Sequence, residues 1–266
     1  MCPTNDWDQV NKSMGTIVAI GGNEIGELQS DGSLKPVLTD AVHREIVAQT
    51  HKKHPKVLYI PTAKDDSEGY IAAFQQYYES LGCDQIDVLR LIKERPPKED
   101  IESRMLAADA VYVNGGDTFR MMEIWKRDGI DPILKEAFLK GIVMAGHSAG
   151  AICWFADGDS DSFEKRHDFR VTALGTINAV LCPHYDTDPF RRTGLEEIMK
   201  RTPKLVAIAL DECAAIEIID DTYRILAATP TSKARRTYWE NGQYIIEEIE
   251  PTRDFQDLET LLTKPA

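Results

Sequence analysis

Two rhythms of apolar residues alternate along the first half of the chain. Short runs rich in β-branched and aliphatic residues occur at Thr16 to Ile20, Val57 to Ile60, Gln85 to Leu91, Ala110 to Val113 and Ile142 to Ala145. Such runs predict strands buried in a sheet. Between them lie segments with apolar residues at helical spacing. Pro36 to Lys53 carries Val37, Ala41, Ile46 and Val47, and Gly69 to Leu81 carries Tyr70, Phe74, Tyr77 and Tyr78. Lys98 to Ala108, Phe119 to Lys126 and Pro132 to Lys140 complete the helical set. Pro36 suits a first helical position, and the polar face of this first helix predicts that His43, His51 and His54 are exposed.

After Ala145 the rhythm breaks. Gly146 to Gly150 reads as a sharp turn, and Ala149 to Phe155 as a helix cut short by the acidic loop Asp157-Gly158-Asp159-Ser160-Asp161-Ser162. Phe169 to Leu174 and Ala179 to Leu181 predict short strands, the second ending at Cys182-Pro183-His184, and Thr187 to Lys200 a polar helix. Leu205 to Leu210, Ala214 to Ile219 and Thr222 to Ala227 read as successive strands, the last two joined as a hairpin by Asp220-Asp221. Tyr238 to Ile249, with Asn241-Gly242, is a further strand region, and a short helix follows Phe255.

Alternating strands and helices predict an α/β fold: a mostly parallel central sheet with helices on both faces, and a C-terminal β-hairpin region. Three predicted strands end in glycine turns, at Gly21-Gly22, Gly115-Gly116 and Gly146. Ligands of such sheets bind at the carboxyl ends of the strands, so the three turns can converge on one crevice. No repeat, linker or abrupt change of composition divides the chain. The expectation is a single domain over residues 1–266, with 1–14 as a loose N-terminal segment.

Composition narrows the function. The chain has 266 residues, 42% of them hydrophobic, which suffices for one large core. A formal net charge of -13 argues against nucleic acid or an anionic membrane surface as partner. An acidic substrate would need a local cation, because the overall field does not attract it. The 5 cysteines, Cys2, Cys83, Cys153, Cys182 and Cys213, are scattered and odd in number. They read as reduced thiols of a cytoplasmic protein, with neither a disulfide frame nor a zinc site. Met1 to Met14 is polar and lacks a signal core, and no segment is apolar for long enough to span a bilayer.

Gly146-His147-Ser148-Ala149-Gly150 fits G-x-S-x-G between a predicted strand and a predicted helix, the context of a nucleophile elbow. The turn strains the serine and brings strand and helix backbones together, which excludes side chains at the flanking glycines. It also leaves N–H groups at the helix start for a developing oxyanion. A serine nucleophile needs a base. No histidine follows His184, which disfavours an ordinary α/β-hydrolase, whose histidine comes from near the C-terminus. His51 and His54 lie one turn apart but lack a third metal ligand. His147 reads as structural or as lining the mouth, and His167 as solvated in a charged loop. His184, at a strand's end after Pro183, is the candidate base. Asp157, Asp159, Asp161, Glu164 and Asp168 all lie between Ser148 and His184, and spacing does not choose among them as the orienting acid.

These motifs resemble a known family. Gly146-x-Ser148-Ala149-Gly150-Ala151, preceded by Asn114-Gly115-Gly116-x-Thr118-Phe119 and followed by Pro183-His184-Tyr185-Asp186, is similar to the peptidase E (aspartyl dipeptidase) and cyanophycinase family of serine peptidases. The resemblance runs from about Thr16 to about Ala227. It implies a sheet like that of class I glutamine amidotransferases, which carry cysteine at the elbow where this chain has Ser148. It implies a triad in the order Ser, acid, His, with Ser148 as nucleophile, His184 as base and Asp161 as the best-matching acid, while Asp159 and Glu164 stay open. By the same resemblance Gly116 and Ala149 supply the oxyanion N–H groups. Asp211-Glu212 resembles a motif near the family's site, which puts Glu212 among the substrate-binding candidates.

The implied substrates are small peptides, foremost dipeptides with N-terminal aspartate, or else cyanophycin. Arg191 and Arg192, shortly after His184, are the candidate partners of a substrate carboxylate. The chemistry calls for no metal or organic cofactor, and a homodimer is compatible with it. An esterase or acyl hydrolase using the same triad, and a non-catalytic small-molecule binder on the same fold, are the rival readings.

Overall fold

The computed structural model describes residues 15–23, 25–26, 28–161 and 169–264. The first half alternates as its hydrophobic rhythm predicts. In order come β1 (Thr16–Ile20), α1 (Asp40–Gln49), β2 (Lys56–Ile60), α2 (Glu68–Ser80) and β3 (Gln85–Val88). Then come α3 (Lys98–Leu106), β4 (Ala110–Val113), α4 (Thr118–Asp128), α5 (Asp131–Leu139) and β5 (Val143–His147). A one-turn helix, α6 (Ala149–Ile152), leads to β6 (Phe155–Asp159), β7 (Arg170–Thr172), β8 (Ile177–Cys182) and α7 (Pro189–Arg201). The remainder is β9 (Ala207–Leu210), β10 (Ala214–Ile219), β11 (Thr222–Ala227), β12 (Ala234–Glu240), β13 (Gln243–Ile249), β14 (Gln256–Asp257) and α8 (Leu258–Leu262).

The strands form two sheets. The first has the order β14-β11-β10-β1-β5-β4-β2-β3. Its β1-β5-β4-β2-β3 portion is parallel, and β10 pairs antiparallel with β1. The second sheet has the order β13-β12-β9-β8-β6-β7, with β6, β8 and β9 parallel. The hydrophobic pattern along the chain does not separate this second sheet from the first. Asp157 and Asp159, expected in an acidic loop, are instead buried on β6. Partners supplied from later in the chain allow this. Asp157 accepts from Arg170 Nη2 at 2.8 Å and from Thr172 Oγ1 at 2.9 Å.

Alternation along the strands sorts the core into layers. Val18, Ile20, Val57, Tyr59, Tyr112 and Ala145 face α1 and α2. Ile17, Leu58, Val111, Val113 and Met144 face α3 to α6 and the inner side of the second sheet. The outer side of that sheet packs Val180, Cys182, Ala207 and Ala209 under Leu195, Ile198 and Met199 of α7. His43, expected on an exposed face, is buried and hydrogen-bonded to Tyr78 Oη at 3.0 Å. The aromatic residues of α2 close over it. No helix among the described residues is long and apolar enough to cross a membrane.

Candidate active site

β5 lies between β1 and β4, with Ile20 opposite His147 and Val113 opposite Gly146. The chain then turns sharply. Ser148 has φ 53 and ψ -115, a conformation non-glycine residues rarely adopt. Neighbouring backbone holds it there: Ser148 N–H donates to Ile20 O at 3.0 Å, and Ser148 O accepts from Ala151 and Ile152 N–H at 2.9 Å each. The flanking glycines are required by close approach. A Cβ on Gly146 would lie 2.4 Å from Gly150 O, and one on Gly150 would lie 2.0 Å from Val113 O. The strand, strained turn and helix have the backbone geometry that the G-x-S-x-G spacing predicts.

The other glycine turns converge on it. Gly21 O, at the end of β1, accepts from His184 N–H at 3.2 Å. Gly115, just past β4, lies against the serine, so that a Cβ there would come within 3.0 Å of Ser148 Cβ. Gly116 follows it in the chain, and Ala149 begins the helix after the serine. At the end of β8, His184 turns with φ 55. Its Nε2 lies 2.8 Å from Ser148 Oγ.

The carboxylate on the other side of His184 is Glu212, whose Oε1 is hydrogen-bonded to Nδ1. That bond keeps the proton on Nδ1 and leaves Nε2 to accept from the serine hydroxyl. Glu212 sits in the turn between β9 and β10, which crosses from the second sheet to the first beside the end of β1. Gly22 makes room for it: a Cβ there would meet Glu212 Oε2 at 2.4 Å. The Glu212 N–H donates to Asp186 Oδ1 at 2.8 Å, and Asp211 is anchored by Arg235 Nη1 at 2.6 Å. Burial raises the Glu212 carboxyl, but the hydrogen bonds it accepts from His184 and, to a smaller extent, Thr187 outweigh it and hold the group below the ordinary glutamate range.

The expected acid, Asp161, is elsewhere. Its side chain is 68% exposed and its Oδ1 lies 3.1 Å from Arg191 Nη2. The cause is Arg191 itself, a guanidinium only 4% exposed that needs counter-charges. Arg191 Nη1 donates to Asp159 O at 2.6 Å and lies 3.5 Å from Asp159 Oδ1. Arg191 Nε lies 3.2 Å from Asp188 Oδ2, without hydrogen-bond alignment. Burial pushes Asp159 up to about 7 in spite of Arg191. Asp159 is thus a buried ion-pair partner, and Arg191 is committed to three carboxylates rather than presented to a ligand. Glu164, His167 and Asp168 lie outside the described residues. Arg192 stacks its guanidinium over the Tyr185 ring at 5.5 Å and has no carboxylate partner among the described residues.

Glu212 was expected to bind substrate, and the structure instead brings it to the histidine. One signal for it was present: Asp211-Glu212 interrupts two apolar runs at the carboxyl end of a predicted strand. His147 is buried, and its ring binds the Gly115 N–H and the Tyr112 hydroxyl, in keeping with a structural residue.

Residues 28–226 match the model of peptidase family S51. A protein of Bacillus subtilis (strain 168) described as an uncharacterized peptidase, YgaJ, is 33% identical over 224 residues, 84% of this chain and 92% of its own. Peptidase E of Streptomyces coelicolor is 28% identical over 141 residues, 50% of this chain and 53% of its own. Among solved structures, a peptidase from an acI-B1 Actinobacterium superposes with a TM-score of 0.69 at 17% identity, over 92% of this chain and 97% of its own. A putative peptidase E of Listeria monocytogenes EGD-e gives 0.56 at 19% identity, over 90% and 100%. The chain belongs to peptidase family S51 and is a serine-type peptidase.

Proposed function

We propose that the chain hydrolyses small peptides through Ser148, His184 and Glu212. His184 Nε2 takes the Ser148 proton as Oγ bonds to the substrate carbonyl carbon. The N–H groups of Gly116 and Ala149 receive the resulting oxyanion. The carbonyl then re-forms, the C–N bond breaks, and His184 returns the proton to the leaving amine. Water repeats the cycle on the acyl-enzyme and frees Ser148. Glu212 keeps His184 in the required tautomer and stabilises its charged form, without taking the proton itself. The observation that carries this reading is the histidine bridging Ser148 Oγ at 2.8 Å and the Glu212 carboxylate, next to a strained elbow.

The preferred substrate in this reading is a dipeptide with N-terminal aspartate. Arg192 is the cation it offers to the aspartate side chain, since Arg191 is engaged by Asp159, Asp161 and Asp188. The test is hydrolysis of Asp-Ala, Asn-Ala, Ala-Ala and a p-nitrophenyl ester by the wild type and Ser148→Ala. The reading expects Asp-Ala to be the best peptide and Ser148→Ala to lose at least about 10³-fold in kcat on it. Ester cleavage without peptide cleavage would overturn it.

A further inference from the structure

The oxyanion loop is held from three sides. Asn114 N–H donates to Ile60 O at 3.1 Å, and Asp117 N–H donates to Ala63 O at 2.9 Å, which fixes the two ends of the segment to the extension of β2. Between these points the chain needs a hold on Gly115 itself. His147 provides one: the Gly115 N–H donates to His147 Nε2 at 3.1 Å. Asn114 Nδ2 provides the other, donating to Gly115 O at 3.3 Å. The Gly115 carbonyl and the Gly116 N–H belong to one planar, trans peptide and point in opposite directions. Fixing both polar groups of Gly115 therefore fixes the direction of the Gly116 N–H.

The hold depends on the state of the imidazole. Nε2 accepts the Gly115 N–H only if it carries no proton, so the ring is neutral with its hydrogen on Nδ1. Nδ1 lies 3.1 Å from Tyr112 Oη, which accepts that hydrogen. Tyr112 is buried on β4 among Tyr59, Phe74 and Tyr78, so this partner is itself fixed by packing. His147 is 3% exposed in the same layer.

From this arrangement we infer that His147 is a positioning residue for catalysis, which, with its tautomer set by Tyr112, aims the Gly116 N–H at the oxyanion. The inference rests on the peptidase reading above. It assigns His147 no contact with substrate. It separates two neighbours in the chain: Ser148 reacts, while His147 shapes the hole that receives the product of its attack. A residue acting this way changes transition-state stabilisation and leaves ground-state binding alone.

The experiment compares His147→Leu, His147→Gln and Tyr112→Phe with the wild type on the best dipeptide. Leucine has a similar bulk and no acceptor. Glutamine can return an acceptor oxygen near the place of Nε2. His147→Leu is expected to lower kcat about 10- to 100-fold with KM within about threefold, below the loss expected for deleting an oxyanion donor outright. The affinity of a dipeptide boronic acid, which forms a tetrahedral adduct, is expected to fall by a similar factor. His147→Gln is expected to recover kcat to within about fivefold of the wild type, and Tyr112→Phe to lower kcat with KM unchanged.

A folded His147→Leu with kcat within about threefold of the wild type overturns the inference, and so do equal losses in the leucine and glutamine variants. If His147→Leu does not fold, Tyr112→Phe decides, and an unchanged kcat and boronate affinity there overturns it. Ser148→Ala, measured alongside, keeps the two readings apart. Turnover retained in Ser148→Ala removes the nucleophile and this inference with it, whereas an inactive Ser148→Ala beside an unimpaired His147→Leu removes the inference alone.

Discussion

Replacing Glu212 by glutamine exchanges one carboxylate oxygen for an amide with nearly the same shape. The Oε1 of Glu212 is bonded to His184 Nδ1, and Nε2 faces Ser148 Oγ at 2.8 Å. If the new amide turns its NH₂ toward Nδ1, the imidazole must carry its proton on Nε2, and Nε2 then cannot accept from the serine. If the amide presents its oxygen instead, the tautomer survives, but the charge that stabilises the imidazolium during attack is gone. The first outcome has the larger effect, about 10⁴-fold in kcat for a triad held in the wrong tautomer, or about 5.5 kcal/mol. Asp161→Asn disturbs only an exposed carboxylate paired with Arg191, and kcat should stay within about threefold. The assay is steady-state hydrolysis of the best dipeptide by both variants, with circular dichroism to establish that each is folded. A Glu212→Gln enzyme retaining more than about a tenth of wild-type kcat, beside an Asp161→Asn enzyme reduced more than about 10²-fold, would refute the assignment of the acid.

Arg191→Met should destabilise the fold by about 1–3 kcal/mol in urea unfolding at neutral pH, because it takes the donor from the Asp159 carbonyl and drives the Asp159 carboxyl, already raised to about 7, to take up a proton. Arg192→Met should leave stability nearly unchanged but cut kcat/KM on Asp-Ala at least about tenfold and on Asn-Ala little; equal small effects on both substrates would remove Arg192 from the specificity site. Asp159 has its folded pKa raised to about 7, so its contribution to stability is full below the unfolded value near 3.8 and is lost as pH rises through 7. Asp159→Asn should therefore gain on the wild type by a few kcal/mol between about pH 4 and pH 8, read from paired unfolding curves; a pH-independent difference contradicts this. Gly150→Ala places a Cβ 2.0 Å from Val113 O, so the elbow must shift. It should lose at least about 1–3 kcal/mol, seen as a Tm fall of roughly 2–4 °C per kcal/mol, and a wild-type Tm would show that the approach is looser than described.

The sequence revealed those parts of the molecule whose signals are local. β1, β2, β4 and β5 are buried on both faces and so appear as apolar runs, all but β2 ended by a glycine turn. The elbow is legible because a few consecutive positions must satisfy one backbone geometry. His184 stands out in the sequence by its place at a strand's end, and its Nε2 lies 2.8 Å from Ser148 Oγ. What escaped depends on partners far away in the chain. β6 carries Asp157 and Asp159 because Arg170, Thr172 and Arg191 meet them there. His43 is buried by Tyr77 and Tyr78, which its own helix does not announce. Glu212 reaches His184 because the chain crosses from one sheet to the other between β9 and β10, and β10 runs antiparallel to β1, so the turn meets Gly22. The acidic stretch after the elbow, nearer in sequence, is drawn instead to Arg191.

The central claim is that Ser148, activated by His184, is the nucleophile for peptide hydrolysis. Titration of the wild-type protein with a fluorophosphonate, followed by mass spectrometry of the digested chain and by dipeptide hydrolysis on the same samples, tests it most directly. The account predicts a single adduct on Ser148, activity falling in proportion to labelling, no adduct in Ser148→Ala and labelling slowed at least about 10²-fold in His184→Ala. Full peptide hydrolysis by completely labelled protein, or an activity-abolishing adduct on a residue other than Ser148, would contradict it.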